Sequence, residues 1–500
     1  MEILLALSPI LSIFLFLFAF KQTTFRSAIF SYVVCLAIVL LFQPFQLHMG
    51  EILHATAKGA LICFIVAYVL FFGIFLFHLM NKIGLIQSIA SFVSDTTNDR
   101  MMQTLLICFG ICPLIESASG FGIGFMVAAP IFLSLGYSPF QAALLSFIGL
   151  LASSWGALAT GTIIGSQLVN IPLSVIGSST AILSTPIFAY MMITSLYIVG
   201  GWRAVQEKWL ELLGFFLLFS LSIFLFSKYV SVELAGILSP LMTIAFGFIR
   251  IKASAAKRKV TYSQSAASLS GENRSIIKIL SPYLFLTVCI LLSRLIPNVS
   301  HTLQSTFILD LPSYSYKLAL LYSPGFWLGL TCMFTIMLFR VPFSIVKQSL
   351  CSTVRQWIPF VVTTTMFISI SEIMGVSGMH QLLAQTAGDA FGKMFMIVTP
   401  FIGAIGGFLT GSNAGSNAMF IKLQVQTAQH VGLSWQSISI SQNTSSSIST
   451  IACPSRITLG AYLCNIPSRE NELLRTTTLM ISGAVMIVLI ETVAWLTMFQ

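Results

Sequence analysis

The residues with the strongest claim to chemistry lie in four short polar stretches set in apolar sequence. The first is Glu116-Ser117-Ala118-Ser119-Gly120-Phe121-Gly122-Ile123-Gly124. Alternate glycines after two serines make a poor helix interior and a good hairpin tip. The second, Thr410-Gly411-Ser412-Asn413-Ala414-Gly415-Ser416-Asn417, has the same small polar character. Such tips expose amide N–H groups and hydroxyls at half-helix N-termini, where an anion such as a carboxylate is favoured. Small residues alone would permit close helix packing and nothing more. Here, however, each tip is followed by a second polar break. These are Ser153-Ser154-Trp155-Gly156, continuing to Thr160-Gly161-Thr162, and the run Gln442 to Thr450, polar at every position but Ile448. Polar side chains facing lipid are costly, whereas the same residues lining a site are satisfied. The expected substrate-binding set is Ser117, Ser119, Gly120, Gly122, Ser412, Asn413, Ser416, Asn417, Asn443 and Thr444.

Ionisable groups inside apolar spans are functional candidates by default. Glu116 stands between an apolar run and the first glycine tip. A carboxyl that titrates there would carry a coupling proton; one bonded to loop amides would be structural. Lys422 and Arg456 are the candidates for pairing with an anionic substrate. Glu372 and Arg294 fall near span ends, where snorkelling or local pairing accounts for them, and Glu491 in the last span receives no role. The nine cysteines form no CxxC pair, and Cys108 and Cys112 share a helix face without a histidine cluster. They read as buried small apolar residues rather than a disulfide or metal framework. No catalytic residue, metal or cofactor is assigned, and the chain does not read as an enzyme.

The elements that must position these groups follow from composition. Of 500 residues only 8% are charged, 56% are apolar and 42 are phenylalanine. Soluble domains carry roughly 25% charged residues and avoid large apolar patches, so lipid is the solvent for most of this chain. The 25 basic against 15 acidic residues give +10. Spread over short loops, that excess is topology charge rather than a nucleic-acid footprint. A crossing takes about 20 apolar residues. Runs of that order occupy 3–20, 28–42, 60–80, 140–165, 182–200, 209–226, 232–250, 277–297, 319–340, 357–374, 434–453 and 476–498. Two Gly-, Ser- and Asn-broken stretches remain, 103–135 and 391–431. Met1-Glu2 leads straight into the first run without a basic leader or cleavage site, so that run is read as a retained span.

Loop charge sets the orientation. The segment 251–276 holds Lys252, Lys257, Arg258, Lys259 and Arg274 against Glu272 alone, which places it in the cytoplasm. Alternating outward puts Lys21/Arg26, Arg203/Lys208, Arg340/Lys347/Arg355 and Arg456/Arg469/Arg475 inside and both termini outside. The pattern holds only if 103–135 and 391–431 each enter and leave on one side, as re-entrant hairpins. An odd number of spans then separates them, so the halves have opposite orientation. Gly136-Tyr137-Ser138-Pro139 and Gly432-Leu433-Ser434-Trp435 echo each other after the two hairpins. The expected division is a first half 1–226, a linking span and basic loop 227–276, and an inverted second half 277–500. Broken helices in corresponding places of inverted halves point to a secondary transporter with its site between them. A channel or a membrane scaffold is the rival class, but a channel would show a continuous polar stripe.

At both tips the sequence resembles the L-lactate permease family, proton-coupled carriers of lactate and glycolate. The family's L-E-G-A-A-G-F-G is similar to Ile115–Gly122, and its F-L-T-G-S-(D/N)-T-S-S-N-A-L-F to Phe408–Phe420. The following L-Q-x-x-x-A-Q-x-x-G matches Leu423-Gln424 and Ala428-Gln429-His430-Val431-Gly432; A-N-T-(S/T)-G-G is echoed by Asn443–Ser447, and G-W-R recurs at Gly201-Trp202-Arg203. The matches are collinear from about residue 95 to 475. Departures fall in the breaks: Gly149–Gly161 keeps Gly156-Ala157-Leu158 but lacks the family's Asn and Pro, and Thr450–Ser455 lacks its lysine, a charge that Lys422 would replace. The resemblance implies a divergent member, an all-α polytopic protein of about 12 transmembrane helices and two re-entrant hairpins in the cell (inner) membrane. It would import a small monocarboxylate with protons; a different organic anion or coupling to Na+ is the alternative. Its partners would be the carboxylate, protons and lipid, with no nucleic acid, and a homo-oligomer is left open.

Overall fold

The computed structural model of the chain describes residues 1–88, 97–120, 122–258, 276–314 and 316–499. Among these residues ten helices are long and apolar enough to cross a membrane. In lipid the backbone must satisfy its own hydrogen bonds, and the helix does so within one segment. The protein is therefore an all-α multi-pass membrane protein.

The first half opens with α1 (Glu2–Phe14), α2 (Thr24–Leu41) and α3 (Met49–Lys82). A helical hairpin follows, α4 (Arg100–Ser119) returning through α5 (Ile123–Ser134). Next comes a broken helix: α6 (Pro139–Ile148), a 3-10 turn at Ser153–Trp155, and α7 (Gly156–Val169). The long α8 (Leu173–Glu207) and α9 (Trp209–Tyr229) follow, then α10 (Val232–Arg258), which falls in the linking segment expected at 227–276. The second half runs α11 (Ile276–Leu295), α12 (Pro297–Ser305), a ribbon β1 (Ile308–Leu311) and β2 (Tyr316–Ala319), α13 (Pro324–Leu338), α14 (Phe343–Val376) and α15 (Met379–Phe391). Its hairpin is α16 (Phe395–Thr410) and α17 (Asn413–His430). Its broken helix is α18 (Trp435–Ser449), a 3-10 turn at Thr450–Ala452, and α19 (Pro454–Leu463), after which α20 (Glu470–Phe499) ends the chain.

Both 103–135 and 391–431 thus contain helical hairpins, turning at Gly120–Gly122 and Gly411–Ser412. The spans expected at 140–165 and 434–453 are not continuous. Each is interrupted where the sequence is polar, and the second runs on to Leu463. In the first, Leu158 and Ala159 take positive φ of 58° and 61°, a left-handed conformation that side chains disfavour and that sites tend to hold. Trp155 is buried in this break and ties it to α9 by donating from Nε1 to Ser227 Oγ at 2.9 Å. The antiparallel ribbon, with Ile308 opposite Ala319 and Leu311 opposite Tyr316, was not expected. Its turn covers the start of α3, where the His54 ring stacks on Tyr314 at 4.6 Å. The basic segment expected in the cytoplasm falls largely on 259–275, outside the described residues; Lys252, Lys257 and Arg258 extend α10.

Matched caps mark the two halves as versions of one plan running in opposite directions. Helices α3 and α14 are each 34 residues long and pack antiparallel along their length. Cys63 Sγ donates to the Val361 carbonyl at 3.6 Å, and Trp357 Nε1 to the Ala67 carbonyl at 2.7 Å. Cys63 and Trp357 occupy the same place in their helices, as do Ala67 and Val361, so the two bonds are mates about a pseudo-two-fold axis. Gly84 and Gly378, just past these helices, both have positive φ (76° and 82°). Gly136 (78°) and Gly432 (71°) end α5 and α17 in the left-handed conformation that only glycine adopts without strain. Ser138 and Ser434 then cap α6 and α18, accepting from the Gln141 and Ser437 amides at 3.3 and 3.4 Å. Asn170 and Asn465 close α7 and α19 with φ of 55° and 56°. The kink in α8 falls at Gly200–Gly201, where Gly201 opens the Gly-Trp-Arg match.

Candidate functional site: a cavity between two hairpins

Each hairpin turn starts a helix inside the protein, and each start is satisfied differently. At the first, Glu116 reaches back across the tip. Its Oε1 accepts from the Gly122 amide at 3.0 Å and its Oε2 from the Gly124 amide at 3.1 Å. The carboxylate thus fills the N-terminus of α5, where a negative charge is favoured, and it is 4% exposed. At the second, Gly411 turns the chain with φ 62° and Ser412 caps α17, its Oγ accepting from the Gly415 amide at 3.2 Å. A neutral hydroxyl stands here where the first half has a carboxylate.

A cavity of about 480 Å³ opens between the tips, within the range of ligand sites. Of the expected residues, Glu116, Gly120, Ser412, Asn413 and Arg456 line it. Arg456 sits in the first turn of α19 and bridges the arrangement. It donates from one terminal nitrogen to the Gly411 carbonyl at 2.9 Å and from the other to Thr450 Oγ1 at 3.4 Å. Its Nε lies 3.6 Å from where a Cβ on Gly122 would stand, so the guanidinium bonded to the second tip also faces the first. Among the described residues no carboxylate pairs with Arg456, and a guanidinium offers five N–H donors. The cavity therefore presents one acid already engaged by amides and one base with donors to spare.

The remaining expected residues are near but turned away. Ser119 Oγ donates to the Ile115 carbonyl at 2.5 Å, and Ser117 is buried against Gly236 of α10. Thr444 bonds back to the Ile440 carbonyl of its own helix at 2.8 Å. Asn443 is the hub of a closed network. Its Oδ1 accepts from Asn413 and Asn417 at 3.0 and 2.8 Å, and its Nδ2 donates to Thr162 and Thr180 at 3.2 and 3.0 Å. Asn417 also donates to the Gly161 carbonyl at 3.0 Å, and Gln442 donates to Ser416 Oγ at 3.1 Å. These amides pin the second hairpin to the first half's broken helix and to α8. Lys422 lies elsewhere, paired at 2.6 Å with Glu372, which also holds Lys58 at 3.2 Å. Arg294 lies over the Tyr322 ring at 3.5 Å.

Other lining residues were not singled out from sequence: Thr23 and Thr24 at the start of α2, and Gln356, Thr363 and Thr364 on α14. The signal for the last group was present, three consecutive threonines at 363–365 inside an apolar span. Thr23 and Thr24 carried none, because a hydroxyl at a helix start is an ordinary cap.

The sequence model of the family described as L-lactate permease matches residues 2–499. The L-lactate permease of Salmonella typhi is 24% identical over 511 residues, covering 95% of this chain and 92% of that protein. The glycolate permease GlcA of Escherichia coli (strain K12) is 26% identical over 459 residues, covering 82% and 81%. Among solved structures, the crystal structure of the Alcanivorax borkumensis YdaH transporter aligns with TM-score 0.47 and 13% identity, over 90% of this chain and 88% of that one.

Proposed function

The chain belongs to the L-lactate permease family, and from that premise we propose that it imports a small 2-hydroxy monocarboxylate of the lactate–glycolate type by proton symport across the cytoplasmic (inner) membrane. Arg456 carries the proposal: a guanidinium in the main cavity, bonded to the second hairpin tip and facing the first, with no carboxylate partner among the described residues. The substrate carboxylate would sit between Arg456 and the N-terminus of α17, where Ser412 and the first amides favour negative charge. The threonine hydroxyls on α14 would meet the substrate's hydroxyl.

The two tip amides that Glu116 accepts match the structural role named from sequence; what supports a coupling role for the same carboxyl is charge balance. Empty, the cavity holds one carboxylate and one guanidinium. Substrate alone would leave an uncompensated negative charge, and a proton alone an uncompensated positive one; both are costly in a buried site. Arrival of one carboxylate with one proton on Glu116 keeps the cavity neutral. Alternating access then moves a neutral load between two inverted halves.

Uptake of radiolabelled L-lactate into proteoliposomes tests this with proton and Na+ gradients imposed separately. Accumulation is expected when the outside is acid and absent under a Na+ gradient at equal pH. Accumulation that follows Na+ instead would overturn the coupling.

A further inference from the structure

Two further cavities flank the hairpins, and they are built from matching positions of the two halves. One, of about 380 Å³, is lined by Glu372 and Gly375 of α14 with Lys422 and Gln426 of α17. The other, of about 420 Å³, is lined by His78 and Asn81 of α3 with Met126 and Pro130 of α5. Counted from the C-terminal ends of their helices, Glu372 matches His78, Gly375 matches Asn81, Lys422 matches Met126, and Gln426 matches Pro130. Because α3 and α14 are antiparallel, the two cavities lie at opposite ends of the molecule.

Their chemistry differs. In the first, Lys422 lines the cavity and shares the Glu372 carboxylate, at 2.6 Å, with the Lys58 ammonium, which stands outside the lining at 3.2 Å from the same carboxylate. One positive charge is left over, and no other carboxylate pairs with either lysine among the described residues. Gln426, one turn along α17 from Lys422, lines the same cavity with its amide oxygen buried and unpartnered. His380 lies behind Gly375, with neither ring nitrogen hydrogen-bonded. In the second cavity a methionine stands where the lysine would be, and His78 Nε2 is 3.3 Å from Gln356 Oε1. Gln356 also lines the main cavity, so one side chain borders both; no lining residue is common to the main cavity and the lysine-bearing one.

We propose that the cavity at Lys58, Glu372 and Lys422 is a second anion site, a mouth that gathers small carboxylates before they reach Arg456. The destination rests on the transport reading; binding at the mouth does not. Surplus charge in a cleft with low-dielectric walls focuses the field and raises the local anion concentration. A carboxylate entering there meets the Lys422 ammonium beside Glu372, with Lys58 on the far side of that carboxylate, and completes a neutral set of four charges. In the orientation expected from loop charge, this is the outer mouth.

The test uses the full chain in detergent, free of native cysteines, with Gln429→Cys at the exposed rim. The thiol is labelled with sulfonate-bearing and trimethylammonium-bearing methanethiosulfonates. The anionic reagent is expected to react faster by about 10-fold at low ionic strength. L-Lactate or acetate should slow it saturably, beyond the effect of chloride at equal ionic strength. Lys58→Gln should abolish both effects, Glu372→Gln should strengthen the preference, and the double change Lys422→Gln with Glu372→Gln, which restores the original charge count, should keep it. Equal rates for the two reagents, indifference to Lys58→Gln, or chloride matching the carboxylates would each overturn the site. Protection by carboxylates without L-lactate uptake by the unsubstituted protein would sink the transport reading and leave the mouth standing. Uptake without protection would do the reverse.

Discussion

At the residue scale the central contrast is between two charged groups that share one cavity. Glu116 is held by two amides across its own tip, while Arg456 bonds a carbonyl and a hydroxyl. Glu116→Gln fixes a neutral form of nearly the same shape and keeps an acceptor for one of the two tip amides. Uptake driven by a pH gradient should collapse while exchange of L-lactate across the membrane persists, because exchange need not cycle the proton. Gradient-driven uptake at the unsubstituted rate would remove Glu116 from coupling. Arg456→Gln removes a charge-assisted contact worth about 1.5–3 kcal/mol, so the apparent KM should rise about 10-fold or more. Lys422→Gln should leave exchange at saturating substrate intact, since its partner is Glu372; loss of exchange at saturation in Lys422→Gln would contradict this division of roles.

At the scale of elements, the hairpins are positioned by close backbone approach and by buried amides. A Cβ on Gly407 of α16 would collide with the Ser446 carbonyl of α18, a backbone atom that cannot swing away. A Cβ on Gly415 would meet Phe367 at 3.5 Å, an ordinary contact. Gly407→Ala should therefore lower the yield of monodisperse protein after extraction while Gly415→Ala does not; like behaviour of the two would refute the packing argument. Asn443→Ala strands buried groups on the second hairpin, α7 and α8, each at a cost of about 1–3 kcal/mol. Its expected signature is a lower thermal midpoint in detergent with little change in the KM of the surviving protein. A raised KM at unchanged midpoint would move Asn443 from scaffold to binding site.

At the scale of the whole molecule, the antiparallel pairing of α3 and α14 sets which mouths face which end. In a cysteine-free background, Ser313→Cys on the ribbon turn is expected to be labelled by an impermeant maleimide from outside the cell. Lys347→Cys near the start of α14 is expected to be labelled only after permeabilisation. Both positions are exposed, so the reverse pattern would invert the molecule and with it the assignment of the outer mouth.

The sequence by itself determined the solvent, because so few charges among so many apolar residues leave no other medium. It also located both hairpin tips, whose glycines and hydroxyls are a local signal, and the echo of Gly136–Pro139 with Gly432–Trp435 announced caps that the structure repeats. Tertiary structure alone decided which polar residues face the cavity. Ser117 and Gly120 are three residues apart, yet one meets α10 and the other the cavity, because helix phase and neighbouring helices set direction. Lys422 and Arg456 were equivalent candidates as residue types. Only folding brought Glu372 of α14 to Lys422 and both tips to Arg456, since a charge's availability depends on partners far away in sequence.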